Sequence, residues 1–306
     1  MPDYAPGTPS WVDLSSPDPA ASAAFYGQIF GWDATEPNAQ AGSYQRFQLG
    51  DKSVAGLAPI MQENQPTAWV TYISVADAEE TTAKVTAAGG TVAFPPLDVM
   101  GMGHMAIYID PTGAVFGIWQ PGTFAGAEIV NEPNSLCWNE VLTRDAEAAQ
   151  AFYTQVFPWR PERPGFEGAP ESYRVWTLED DKQVGGMMQM NDEFFPPEVP
   201  PHWNVCFAVA DCDGTVAKAR ELGAAIVAEA MDMPIGRFAS IVDPQGASFS
   251  IMQMAPWVRP LSSATRRWES PSSLRIRASR SSAAPPFTTM PRRAARPSPS
   301  RIAGRS

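Results

Sequence analysis

At 306 residues the chain is too long for one ordinary hydrophobic core and suits two domains. Its 22 basic and 33 acidic residues give a net charge of −11, but residues 259–306 hold 11 Arg, no Lys and one acid, a local +10. The first 258 residues therefore carry 11 basic and 32 acidic side chains, net −21, which disfavours nucleic acid and anionic membrane as partners and favours cations or amines.

No apolar run reaches the 18 residues that a membrane helix needs. Met1–Ser10 shows no basic and apolar leader. Three cysteines, Cys137, Cys206 and Cys212, lack C-x-x-C spacing, which points to a reducing cytoplasm.

In chain order, alternation predicts a strand at Trp11–Ser15, and Asp18 is an N-cap for a helix carrying Ala21, Ala24, Phe25 and Ile29. Strands follow at Tyr44–Leu49 and Ser53–Met61. The plan restarts with a strand at Trp69–Val75, Asp77 as a cap and a helix stopped by Gly89-Gly90, then strands at His104–Ile109 and Ala114–Gln120. The remainder repeats this. Residues 11–32, WVDLSSPDPAASAAFYGQIFGW, align without a gap on residues 138–159, WNEVLTRDAEAAQAFYTQVFPW, and DPTGAVFGIWQ (110–120) on DPQGASFSIMQ (243–253). Strand Asn204–Val209, cap Asp211, a helix to Gly223 and strands Arg237–Val242 and Ala247–Gln253 complete the second half. The expected class is α+β, four βαβββ modules in two domains: residues 1–122, a linker at 123–134, residues 135–258, and a disordered Arg/Ser/Pro-rich tail at 259–306. That tail reads either as a basic interaction arm or as a translated out-of-frame end, and no function is assigned to it.

The strand, then D-x6-F-Y, F-G-W, and later G-[HR] before DPxGAxF, resembles the vicinal oxygen chelate superfamily, which includes glyoxalase I, bleomycin-resistance proteins and extradiol dioxygenases. The resemblance covers about residues 7–256. It implies that paired modules curl their sheets into cups, with His or Glu metal ligands at four cup positions in metal-dependent members. Here those positions fall on Trp11, near Gly56, on Val70 and on Gly117, then on Trp138, near Gly186, on Asn204 and on Ser250. None is a strong divalent-metal ligand and the chain has two histidines, so no metal and no cofactor are expected.

Strand alternation groups Trp11, Asp13 and Ser15 in one cup with Tyr72 and Trp119. It groups Trp138, Glu140 and Leu142 in the other with His202, Asn204, Cys206 and Met252. The candidate ligand-binding residues are therefore Trp11, Asp13, Tyr72, Trp119, Trp138, Glu140, His202, Asn204 and Met252. The tryptophans read equally as core or as a stacking wall for a flat ring. Asp13 and Glu140 would anchor an amine or act as general bases, or else sit at a wet rim or accept a bond from a Tyr or Arg. Methionines are plentiful, and thioethers suit a surface that adapts to bulky ligands or simply fill core. His104 and Arg237 occupy matching positions before the DPxG turns, and His104 reads as a surface residue.

Bleomycin-resistance proteins bind a cationic drug in an acidic, aromatic-lined groove, and the chain is similar to accessory proteins of anthracycline-producing clusters. The expected function is metal-free sequestration of a planar, cationic aromatic antibiotic, in self-resistance or biosynthesis. The alternative is a cofactor-independent tailoring enzyme using Asp13 or Glu140 as base. The expected partner is a small aromatic ligand, with a biosynthetic enzyme as a second candidate.

Overall fold

The computed structural model describes residues 4–63, 65–166, 169–193 and 195–255; the basic tail predicted at 259–306 lies outside them. The first half runs β1 (Pro9–Ser16), α1 (Pro19–Phe30), β2 (Asp33–Ala34), β3 (Gln45–Leu49), β4 (Lys52–Pro59), β5 (Ala68–Ser74), α2 (Ala78–Ala87), β6 (Thr91–Asp98), β7 (Gly103–Ile109) and β8 (Val115–Pro121). The second runs β9 (Leu136–Thr143), α3 (Ala146–Val156), β10 (Arg160–Glu162), β11 (Arg174–Thr177), β12 (Gln183–Gln189), β13 (His202–Ala208), α4 (Cys212–Glu221), β14 (Ala225–Met233), β15 (Gly236–Val242) and β16 (Ser248–Met254).

Each helix begins at an aspartate. The carboxylates of Asp18, Asp77, Asp145 and Asp211 accept from the backbone N–H groups of Ala21, Glu80, Ala148 and Gly214, satisfying donors that the first turn leaves open. Gly31 ends α1 in the left-handed conformation at φ 69°, where a Cβ would strain.

The strands form two eight-stranded mixed sheets of matching order, β2-β3-β4-β1-β5-β8-β7-β6 and β10-β11-β12-β9-β13-β16-β15-β14. In each, the first strands of the two modules pair antiparallel at the centre, β1 with β5 and β9 with β13. The duplication thus appears directly as topology.

The helix face differs from the predicted one. In α1 the buried residues are Ser22, Phe25, Tyr26 and Phe30, while Ala24 is exposed and Ala21 and Ile29 are half-buried. The aromatic pair sets the face because burying two rings removes far more apolar surface than burying alanines.

The core those rings enter is shared between the halves. One cluster joins Val12, Phe25, Phe30 and Leu57 to Phe207, Val216, Ile241 and Phe249; the other joins Val85, Tyr108 and Phe116 to Phe152, Trp176 and Trp203. Module one therefore packs on module four, and module two on module three.

Two matched hydrogen bonds cross this seam. The Tyr26 hydroxyl donates to Asp243 Oδ2 at 2.9 Å, and the Tyr153 hydroxyl donates to Asp110 Oδ2 at 2.8 Å. Each hydroxyl also accepts an indole N–H, from Trp69 at 3.0 Å and Trp203 at 2.8 Å. The F-Y of one half is thus tied to the DPxG of the other. Tyr26→Phe and Tyr153→Phe are each expected to lower stability by about 2 kcal/mol, because a buried carboxylate oxygen and a buried indole N–H lose their partner. Chemical denaturation checks this; unchanged midpoints would show that the ties carry no stability.

Candidate functional site

The sheet faces turned away from the shared cores carry the candidate residues. In the first cup β1 directs Trp11 and Asp13 together. Asp13 Oδ1 accepts from the Trp11 indole at 2.7 Å and from the Tyr44 hydroxyl at 2.6 Å, and that indole also reaches Tyr44 at 3.0 Å. Burial pushes the Asp13 carboxyl up, against hydrogen bonds from Tyr44, Trp11 and Tyr72 that pull it down.

The close approach depends on Gly56, opposite Asp13 on β4, because a Cβ there would overlap Asp13 Oδ1 and the Tyr44 hydroxyl. Gly56→Ala is expected to cost about 1–3 kcal/mol by overpacking. A denaturation midpoint equal to the wild type's would refute the tight fit.

In the second cup the relay is longer. The Trp138 indole donates to the Tyr173 hydroxyl at 3.0 Å, which donates to Glu140 Oε2 at 2.9 Å. Asn204 Nδ2 reaches Glu140 Oε1 at 3.2 Å, and the Ser250 hydroxyl donates to Asn204 Oδ1 at 3.1 Å. The extra methylene of Glu carries its carboxylate from the indole to the amide. Burial raises the Glu140 carboxyl, and Tyr173 and Asn204 oppose it. Cys206, on β13, is buried within the same sheet; its hydrogen bond with the Cys137 thiol, and then burial, push its own thiol well up.

Neither carboxylate has an ion-pair partner among the described residues. His202, at the start of β13, does not supply one, since burial lowers its ring and Nδ1 lies 2.9 Å from the Pro200 carbonyl. His104 is exposed, and Arg237 is held on the surface by Asp213 and Asp232. The methionines divide: Met187 is core and Met252 is buried, while Met100, Met231 and Met233 are exposed.

The cups are closed to different degrees. Residues 122–130, which join the halves, cross the first. The Phe124 ring meets Trp11 edge-on at 5.0 Å and Trp119 at 6.1 Å, and its carbonyl accepts the Trp119 indole at 2.8 Å. Trp11, Tyr72, Trp119 and Ala127 form a hydrophobic cluster there, each less than a tenth exposed. The tryptophans differ in exposure, Trp11 being buried and Trp138 half-buried, while Asp13 and Glu140 are both half-buried.

The structure thus brings together Trp11, Asp13, Tyr72 and Trp119 under the strap, and Trp138, Glu140 and Asn204 in the relay. The carboxylates' tyrosine partners, Tyr44 and Tyr173, were not singled out from sequence, although each stands in a repeated Ser-Tyr pair, Ser43-Tyr44 and Ser172-Tyr173.

The residues at the four ligand positions of each cup do not fit a divalent metal. Trp11, Gly56, Val70 and Gly117 offer no donor side chain able to hold one, and Asn204 and Ser250 are already bonded to each other. Among the described residues no group of three or more His, Cys, Asp or Glu could hold a metal ion.

Two modules of matching fold and signature in each half define the class. The model described as the Glyoxalase/Bleomycin resistance protein/Dioxygenase superfamily matches residues 8–118, and that described as a Glyoxalase-like domain matches residues 136–252. The chain belongs to this superfamily.

It is 39% identical over 271 residues to the anthracycline biosynthesis protein DauV of Streptomyces sp. (strain C5), covering 83% of this chain and 96% of that one. It is 41% identical over 260 residues to CFP32 of Mycobacterium bovis, with coverage of 83% and 97%; that protein's name gives glyoxylase as a provisional activity. The Mn(II)-bound glyoxalase of Novosphingobium aromaticivorans superposes with a TM-score of 0.55 at 18% identity, over 81% of this chain and 82% of that one, a likeness of fold. No helix among the described residues is long and apolar enough to cross a membrane.

Proposed function

We propose that the protein binds a planar aromatic cation in the second cup and returns it unaltered, without a metal or cofactor, as an antibiotic-sequestering or accessory protein of anthracycline-like biosynthesis. The observation that carries this is Glu140. A carboxylate drawn into the protein and held only by neutral donors is costly, and an incoming ammonium supplies the missing charge. The adjacent Trp138 gives a flat ring a stacking partner. The acidic first 258 residues raise the local concentration of cations. DauV's name supplies the ligand class. The cytoplasm is the proposed compartment, where the three free thiols stay reduced.

The test is a tryptophan-fluorescence titration of the full chain with daunorubicin, a planar tetracycle bearing an amino sugar, and with its uncharged aglycone. Saturable quenching is expected, tighter for the cation by about tenfold or more, a difference of about 1.4 kcal/mol. The compound should be recovered unchanged. Absence of saturable quenching by either compound would sink the reading, and stoichiometric zinc, iron or nickel in the purified protein would overturn its metal-free part.

A second reading has one observation in its favour. The raised proton affinity of Glu140 suits a general base, which would make the protein a cofactor-independent tailoring enzyme acting on an acidic C–H or O–H of the same ligand class. Recovery of an altered compound, lost in Glu140→Gln, would select it.

A further inference from the structure

The two cups differ in charge at one register position. On β3, Arg46 stands opposite Gly56, so its side chain emerges on the face of the Asp13 cup, with the guanidinium 5.8 Å from the centre of the Phe124 ring. On β11 the corresponding residue is Val175, which stands opposite Gly186. A Cβ at Gly186 would overlap the Tyr173 hydroxyl and approach the Trp138 indole nitrogen at 3.1 Å, so this is the face of the Glu140 relay. Val175 is 3% exposed. The neighbouring Arg174 is directed elsewhere, its guanidinium donating to the Glu171 and Tyr173 carbonyls.

We infer that Val175 determines the second cup's acceptance of a cation, by leaving its aromatic wall free of the guanidinium that Arg46 lays across the first. This rests on the function proposed above. In the first cup the face of the capping ring is taken by a permanent internal cation, so an external ammonium meets like charge as well as the Phe124 strap. In the second, the matching side chain is buried and carries no charge, so nothing at this position opposes the attraction of Glu140 for a cation. The chemical class admitted is therefore a cation carried on an aromatic body, with the charge toward Glu140 and the ring toward Trp138.

Daunorubicin and its aglycone are titrated into the full-length wild type, Val175→Arg and Val175→Leu. Val175→Arg is expected to weaken daunorubicin by tenfold or more while shifting the aglycone much less, and Val175→Leu, which adds no charge, to shift both compounds by the same factor. Should Val175→Arg fail to fold, Arg46→Val combined with Phe124→Ala alters only the first cup and is expected to raise the daunorubicin stoichiometry from one to two per chain. Undiminished daunorubicin binding by folded Val175→Arg, equal losses for both compounds, or a stoichiometry that stays at one would overturn the inference and leave the proposed function standing. Failure of the wild type to bind either compound would overturn both.

Discussion

Produced separately, residues 1–134 and 135–306 are each expected to fail as folded monomers. The two main cores are built across the halves, so a lone half exposes Phe25, Phe30 and Leu57, or Phe152, Trp176 and Trp203, which the intact chain buries. Leaving one large side chain without its core costs about 3–5 kcal/mol, and several together exceed the ordinary stability of a domain. The cross-half bonds of Tyr26 to Asp243 and Tyr153 to Asp110 would be lost as well.

The repeat leaves a lone half one escape. A second copy of the first half could offer its own Asp110 to Tyr26, so the half is expected either unfolded or as a homodimer, and mixing both halves should restore the native pairing. Circular dichroism with sedimentation reads the outcome directly. The intact chain should unfold in a single transition. A folded monomeric half, or two separated transitions, would contradict the shared core.

Glu140→Gln is expected to weaken binding of a planar cation by about 100-fold, in line with losing one member of a desolvated charge pair. The substitution preserves shape, and the remaining oxygen can still accept from one of the two donors, Tyr173 or Asn204, that the carboxylate's two oxygens serve. Asp13→Asn, under the strap, should leave that affinity unchanged.

The pH dependence has a definite sign. Burial raises the folded carboxyl of Glu140 above its ordinary value of 4.5. Its contribution to stability is then complete below that ordinary value and is lost as pH rises through the raised one. The ligand-free wild type should therefore fall behind Glu140→Gln across that interval, with the gap closing in acid. Affinity runs the other way, fading as acidification neutralises Glu140 at a pH where an ordinary glutamate is still charged. Parallel pH profiles for wild type and Glu140→Gln, in stability and in binding, would show that this carboxylate does neither.

What the sequence revealed follows from which interactions are local. Asp18, Asp77, Asp145 and Asp211 cap helices three residues away, and strand alternation placed Trp11 with Asp13 and Trp138 with Glu140 before any fold was known. The partners of those carboxylates were less accessible. Tyr44 lies 31 residues from Asp13 and Tyr173 lies 33 from Glu140, and each stands just before an outer strand, so it takes the registers of β3 on β4 and β4 on β1, or of β11 on β12 and β12 on β9, to bring them together. The shared cores were least accessible of all. Periodicity shows that α1 has an apolar face, but not that the face belongs to the other half.

The motifs nonetheless carried that information in pairs. F-Y and DPxG each occur twice because each copy answers the other half's partner, Tyr26 with Asp243 and Tyr153 with Asp110. A change at either Tyr therefore has its natural compensation more than a hundred residues beyond or tens of residues before it, in the opposite half.

The strap at 122–130 places a last condition on such a chain. A gene duplicated in tandem yields two equal halves but only one covalent connection between them, and that connection has to leave from the last strand of the first. Here it leaves β8 and lies over the neighbouring cup, where Phe124 seals Trp11 and Trp119. Connectivity alone thus distinguishes the two halves: the segment that joins them is also a wall of the first cup, so a change in its length or sequence acts on Trp11 and Trp119 as well as on the joint.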